Sequence, residues 1–172
     1  MQTTRKNLVL LGMMAVGKTT LGRILAEKLS MQFIDTDKNI EKENFMKIGK
    51  IFETKGELFF RKEEEKTVLN SLKKENCVIA LGGGAFMNKT VREQILKSSI
   101  SFWLKDDIKI LNKRTKRNQN RPLLKDKDGE KKLSELYAQR KNIYKLAKYK
   151  IECNKQGKNS IVKKIMELYE KG

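Results

Sequence analysis

Residues 12–19, Gly12-Met13-Met14-Ala15-Val16-Gly17-Lys18-Thr19, fill the spacing G-x-x-x-x-G-K-[ST]. That spacing lets a loop wrap its backbone N–H groups around phosphate oxygens, with a lysine reaching the β- and γ-phosphates and a hydroxyl offered to Mg²⁺. Lys18 and Thr19 fill those two places, and the apolar run before them and the helical pattern after them supply the strand and helix that the mechanism needs. The expected chemistry is binding of a nucleoside triphosphate, with the acceptor left open.

Further along, Asp35 and Asp37 flank one residue at the end of a short strand-like run. One carboxylate can act on metal-bound water while the other orients or deprotonates a hydroxyl, provided the strand end is extended or turning so that both face the site. The plainer reading is that one of them caps the helix that follows. Gly82-Gly83-Gly84 lets a backbone press against a ligand, or is a loose turn. Arg61 can grip a carboxylate with its planar fork, or pair with Glu57, Glu64 or Glu65 on its own helix. Arg121 and Arg140 are similarly open taken singly.

These residues need a frame. Apolar runs at 8–11, 33–34, 77–81, 100–104 and 149–153 read as strands. Helical patterns cover 18–29, the charged stretch to 43, 57–73, 89–96, 107–114, 130–147 and 160–169. Strands alternating with helices specify a three-layer α/β fold with a mainly parallel sheet, whose function sits at the carboxyl ends of the strands. The polar stretch between Arg114 and Gly129 holds the only proline and does not suit a core, so a mobile flap is expected there. The length of 172 residues suits one domain.

The composition excludes several chemistries. The chain has no histidine, which removes Ser-His and Cys-His catalysis and histidine metal sites. Its two cysteines, Cys77 and Cys153, have no metal-ligand spacing and are expected to be reduced and inert. No apolar run is long enough for a membrane span, and the one near the start is too short for a signal-peptide core, so a cytoplasmic protein is expected. The 39 Lys plus Arg against 21 Asp plus Glu leave a net charge of +18. Such an excess attracts polyanions, but the lysines are spread among glutamates on helical segments and no nucleic-acid motif accompanies them.

Taken together and in order, residues 12–20, Phe33-Ile34-Asp35-Thr36-Asp37 with Ile40-Glu41, Gly56-Glu57 through Phe60-Arg61 with Glu64, the triple glycine, Arg121-Pro122-Leu123-Leu124, and Arg140 with Tyr144 resemble the shikimate kinase family. The resemblance implies a five-stranded parallel sheet with flanking helices, a helical substrate-binding region at about 36–72 and a lid at about 114–129. It implies ATP-dependent phosphorylation of the shikimate 3-hydroxyl, on the route to chorismate and the aromatic amino acids, by a monomer with ATP and Mg²⁺. Ala15, Val16, Gly17, Lys18, Thr19 and Thr20 would bind the phosphates, Thr19 would meet Mg²⁺, and Asp35 would meet it through water. Asp37 would hold and deprotonate the acceptor hydroxyl. Arg61 and Arg140 would clamp the carboxylate, and Gly83 would contact the ring hydroxyls. Arg121 would neutralise charge on the transferring group, Arg114 would stack on adenine, and Gln156 would lie on the other side of the base.

Two departures from the family pattern stand out. Ala15 occupies a usual glycine position, which argues against a positive φ there. Tyr144 is followed by a spacing to alanine one residue shorter than usual. The rivals are a gluconate or nucleoside monophosphate kinase on the same scaffold and, from another class, a nucleic-acid-binding module, which a steep salt dependence of DNA or RNA binding would reveal.

Overall fold

The computed structural model describes residues 5–117 and 128–172. Five strands, β1 (Asn7–Leu11), β2 (Gln32–Asp35), β3 (Cys77–Ala80), β4 (Ser99–Lys105) and β5 (Tyr149–Glu152), form one sheet in the order β2-β3-β1-β4-β5. Every pairing is parallel. The central strands are buried on both faces, which is why they read as unbroken apolar runs rather than as alternation. Helices α1 (Lys18–Leu29), α2 (Thr36–Glu43), α3 (Ile48–Leu72), α4 (Lys89–Ser98), α5 (Ile108–Arg117), α6 (Gly129–Tyr144) and α7 (Lys158–Glu170) complete the described elements, with a 3-10 turn at Ala85–Met87. The chain is thus the expected α/β fold with a five-stranded parallel sheet.

Several local expectations change. α3 is two helical segments broken at Gly56, whose φ of 82° and ψ of 170° only glycine holds without strain; the segment before the break is absent from the sequence reading. Residues 114–117, assigned to the flap, extend α5, and the flap's remainder at 118–127, Arg121 included, lies outside the described residues. Asp37 is not on a strand end: helix α2 begins at Thr36, so Asp37 sits in its first turn.

Two apolar clusters hold these pieces. The main one surrounds the sheet and includes Leu8, Leu10, Val78, Phe102 and Tyr144. A smaller one of Ile40, Ile51 and Phe60 ties α2 to both segments of α3, with the Phe52 ring tilted against that of Phe60 at 4.7 Å between centroids. The helical region after β2 therefore rests on its own small core.

Candidate active site

The carboxyl ends of β1, β2 and β3 open into a cavity of about 650 Å³. Its first wall is the loop from β1 to α1. Gly12, with φ 141°, packs so closely on β4 that a Cβ would stand 2.5 Å from the Leu104 carbonyl oxygen. Gly17, φ 106°, turns the chain into α1. Lys18 is buried, and its ammonium donates to the carbonyls of Gly12 (2.7 Å) and Met13 (2.8 Å), which holds it against the loop. Ala15 corrects the sequence expectation: its φ is 64°. The left-handed conformation costs a residue with a Cβ about 1 kcal/mol, so neighbouring contacts must hold it there. The Arg114 guanidinium, donating to the Ala15 carbonyl oxygen at 3.3 Å, is such a contact. Thr20 lines the cavity, while the Val16 side chain is buried beneath the loop.

At the end of β2 both readings of Asp35 hold at once. One carboxylate oxygen accepts from the Lys38 backbone N–H and caps α2; the other accepts from the Thr19 hydroxyl at 2.7 Å. The cap and the contact with the phosphate loop share one side chain because a carboxylate has two oxygens. Thr36, fully buried, donates to the Ala80 carbonyl and accepts from the Gly82 N–H, tying the ends of β2 and β3 together.

The triple glycine serves neither as a loose turn nor as a source of positive φ. Each member leaves room for a charged side chain. A Cβ on Gly82 would stand 2.6 Å from an Asp37 carboxylate oxygen and 2.8 Å from one of Glu64. On Gly83 it would meet the Arg140 Nη1 at 3.2 Å, and on Gly84 the Arg61 Nη1 at 2.6 Å. Two carboxylates and two guanidiniums thus converge on three consecutive residues with no side chains of their own.

Arg61 pairs within its helix as the plainer reading held, with Glu57 at 3.2 Å and Glu64 at 2.8 Å, yet it also lines the cavity. Burial pushes the Glu64 carboxyl above its usual range, against the opposing pull of Arg61 and Arg140. Arg140 comes from α6 and is 6% exposed, and its Nη1 has no hydrogen-bond partner among the described residues. A buried guanidinium donor left unpaired is costly, and a carboxylate in the cavity would relieve it. Tyr144, one turn further along α6, donates its hydroxyl to the Gly83 carbonyl; burial holds its phenol up at about 12, so it remains a donor.

Of the expected site residues, Ala15, Gly17, Lys18, Thr19, Thr20, Asp35, Asp37, Arg61, Gly83, Arg114 and Arg140 line this one cavity. Gln156 does not: it is exposed, and its side-chain amide donates to the Glu152 carbonyl. In the sequence Glu64 reads as a helical partner of Arg61 and part of a pattern, Thr36 and Tyr144 only as parts of a pattern, and Asp106 has no role. Asp106 had a readable signal, an acidic residue just past an apolar strand, the same placement as Asp35.

A phosphate-cradling loop at the end of the central strand, with a hydroxyl and carboxylate beside it and a charged acceptor pocket across from it, defines a P-loop phosphotransferase acting on a small anionic substrate. Comparison with known proteins narrows the class. The shikimate kinase family model matches residues 14–170. The chain is 40% identical to a shikimate kinase of Sulfurihydrogenibium sp. over 94% of this chain and 96% of that protein. It is 36% identical to one of Methylococcus capsulatus over 97% and 94%. Among solved structures, shikimate kinase from Acinetobacter baumannii in complex with shikimate superposes with a TM-score of 0.94 at 36% identity, covering 98% of this chain and 94% of that one. A gluconokinase from Sinorhizobium meliloti, at 13% identity and a TM-score of 0.60, shares the fold alone. The chain belongs to the shikimate kinase family.

Proposed function

We propose that this chain transfers the γ-phosphoryl group of ATP to the 3-hydroxyl of shikimate, giving shikimate 3-phosphate and ADP, within the cavity described above. The observation that carries the reading is Arg140: a buried guanidinium whose Nη1 has no partner among the described residues shares the cavity with Arg61 and Asp37, so the site offers a donor for a substrate carboxylate and a carboxylate for a substrate hydroxyl. A monocarboxylic acid with several hydroxyls satisfies both ends.

In this reading the backbone N–H groups of residues 15–20 and Lys18 hold the phosphates. The Arg61 and Arg140 forks fix the carboxylate in its plane, and Gly83 meets the ring hydroxyls. Asp37 orients the acceptor hydroxyl and takes its proton as the oxygen bonds to the γ-phosphorus and the bond to the ADP oxygen breaks. Positioning and cations near the transferring group supply most of the rate, since phosphoryl transfer needs little covalent help. Arg114, at the cavity's edge, would lie against the base, and Arg121 would neutralise the transferring charge.

Magnesium fits the residues present. The Thr19 hydroxyl and Asp35 carboxylate are hard oxygen donors in direct contact, and no cluster of three acidic, cysteine or histidine ligands exists among the described residues. That suits an ion that takes one or two protein oxygens and completes its shell with phosphate and water. When bound, it would neutralise charge on the phosphates.

The reading treats the chain as one kinase domain, with a substrate-binding region at about 36–72 and a lid in the stretch between α5 and α6, working in the cytoplasm as a monomer with no nucleic-acid or membrane partner. No helix among the described residues is long and apolar enough to cross a membrane, and Cys77 and Cys153 are buried thiols pushed above their usual range. An ADP-release assay comparing shikimate with gluconate and nucleoside monophosphates tests the function directly. Turnover with shikimate alone is expected; preference for either other acceptor would overturn the assignment.

A further inference from the structure

We infer that Asp106 is a positioning residue for nucleotide binding, acting through Arg114 on the strained residue of the phosphate loop. Asp106 follows β4 at the same end of the sheet as the cavity, and its side chain is only 1% exposed. A carboxylate is costly to bury unless it is paired. One of its oxygens accepts from the Asp107 N–H at 2.8 Å. The other, Oδ2, receives no hydrogen bond among the described residues and stands 3.1 Å from the Arg114 Nη1.

That same Nη1 donates to the Ala15 carbonyl. A single guanidinium nitrogen therefore lies between a buried anion and the backbone of the phosphate loop. Its position matters because Ala15 holds a φ of 64°, where a glycine would sit without strain. Fixing the Ala15 carbonyl favours that conformation, and the loop's N–H groups point correctly only while it lasts. Arg114 is half exposed, and a long cation in solvent is a poor anchor by itself. The buried Asp106 end makes it a good one. The close contact of Gly12 with the Leu104 carbonyl keeps the end of β4 and the loop in fixed relation, so a charge two residues beyond Leu104 is held relative to Ala15.

This inference rests on the loop being the ATP site, but not on shikimate being the acceptor. Its test is ADP binding by calorimetry, with KM for ATP and for shikimate alongside, for Asp106→Asn in the parent and in an Ala15→Gly background. Asparagine keeps the shape and removes the charge. In the parent, the ADP Kd and the KM for ATP should rise at least about fivefold while the KM for shikimate stays within about twofold. In the Ala15→Gly background the same substitution should cost less than about twofold, because glycine holds the loop conformation unaided. Arg114→Lys, which keeps the charge and loses the fork, should weaken ADP binding and show less than additive loss when combined with Asp106→Asn. An Asp106→Asn penalty of the same size in both backgrounds, parallel rises in both KM values, or additive losses with Arg114→Lys would overturn the inference. If the parent binds ADP with this coupling yet does not phosphorylate shikimate, the proposed function fails while the positioning role stands.

Discussion

The two sides of the cavity are built on different principles. The phosphate side is local: residues 12–20 run continuously from β1 into α1, over the main core, and offer backbone N–H groups with one lysine and one hydroxyl. The acceptor side is assembled from afar. Asp37 comes from α2, Arg61 and Glu64 from α3, the glycines from the end of β3, and Arg140 and Tyr144 from α6, with α2 and α3 resting on a three-residue apolar cluster. On the phosphate side the charged groups find partners within the loop and its neighbour Asp35. On the acceptor side a buried guanidinium donor has none among the described residues. A universal ligand, the triphosphate, can be met by one short spacing along the chain; a particular acid needs charges brought together from three elements.

The comparison is sharpest under substitution. Lys18→Ala should leave a folded protein whose turnover falls at least about a hundredfold, roughly 3 kcal/mol of lost transition-state stabilisation, read by steady-state kinetics beside a circular dichroism spectrum. Near-parental turnover would remove the lysine from the chemistry and with it the claim that the local side drives catalysis.

Arg140→Lys tests the other side, because it keeps the net charge and removes only the planar fork. The KM for shikimate should rise about tenfold, or 1.4 kcal/mol, while the KM for ATP stays nearly constant. Lys141→Ala, which changes the charge at an exposed neighbour, should do almost nothing. Equal weakening of both substrates would mean that the two sides are not separable.

Tyr144→Phe deletes one hydroxyl from the link between α6 and the Gly83 carbonyl. The expected loss is about 1–2 kcal/mol in chemical unfolding, from the buried carbonyl left unpaired, with a rise in shikimate KM of about threefold and an unchanged ATP KM. A stability loss with no change in shikimate KM would reduce the tyrosine to a packing residue.

The smallest effect is expected at Glu64, read as a pH dependence. Burial raises its folded pKa, so the native state holds the proton more tightly than the unfolded chain. Its contribution to stability is therefore fully present below the ordinary carboxyl range near 4.5 and is lost as pH rises through the folded value. Glu64→Gln removes that dependence, so the Tm of the parent relative to the variant should fall as pH is raised from 4 to 7. A constant difference across that range would show that the carboxyl titrates alike in both states.

Much of this was legible in the residues. The phosphate loop, the alternation of strand and helix, and the candidacy of Asp35, Asp37, Arg61 and Arg140 follow from spacing, period and the family resemblance, because each signal lies within a few neighbouring positions. Four things did not. Ala15 was expected to avoid a positive φ, since intrinsic preference opposes it; a guanidinium ninety-nine residues away now contacts its carbonyl. The segment of α3 before Gly56 escaped notice because it is bound by a satellite cluster rather than by a long amphipathic face. Gln156 belongs to the nucleotide site only through a resemblance whose spacing shortens past Tyr144, and its side chain folds back on the Glu152 carbonyl. The triple glycine, ambiguous in sequence, takes its meaning from the side chains that occupy the space its missing Cβ atoms leave.

The sequence by itself determined what repeats every two or 3.6 residues and what sits at fixed offsets along one loop, since those depend on backbone geometry alone. Tertiary structure decided which distant charges meet. Whether Arg61 and Arg140 reach the same cavity, whether Glu64 is buried beside them, and whether Asp106 faces Arg114 depend on how α3, α5 and α6 pack on the sheet. That packing is governed by the summed burial of many apolar side chains rather than by any local pattern.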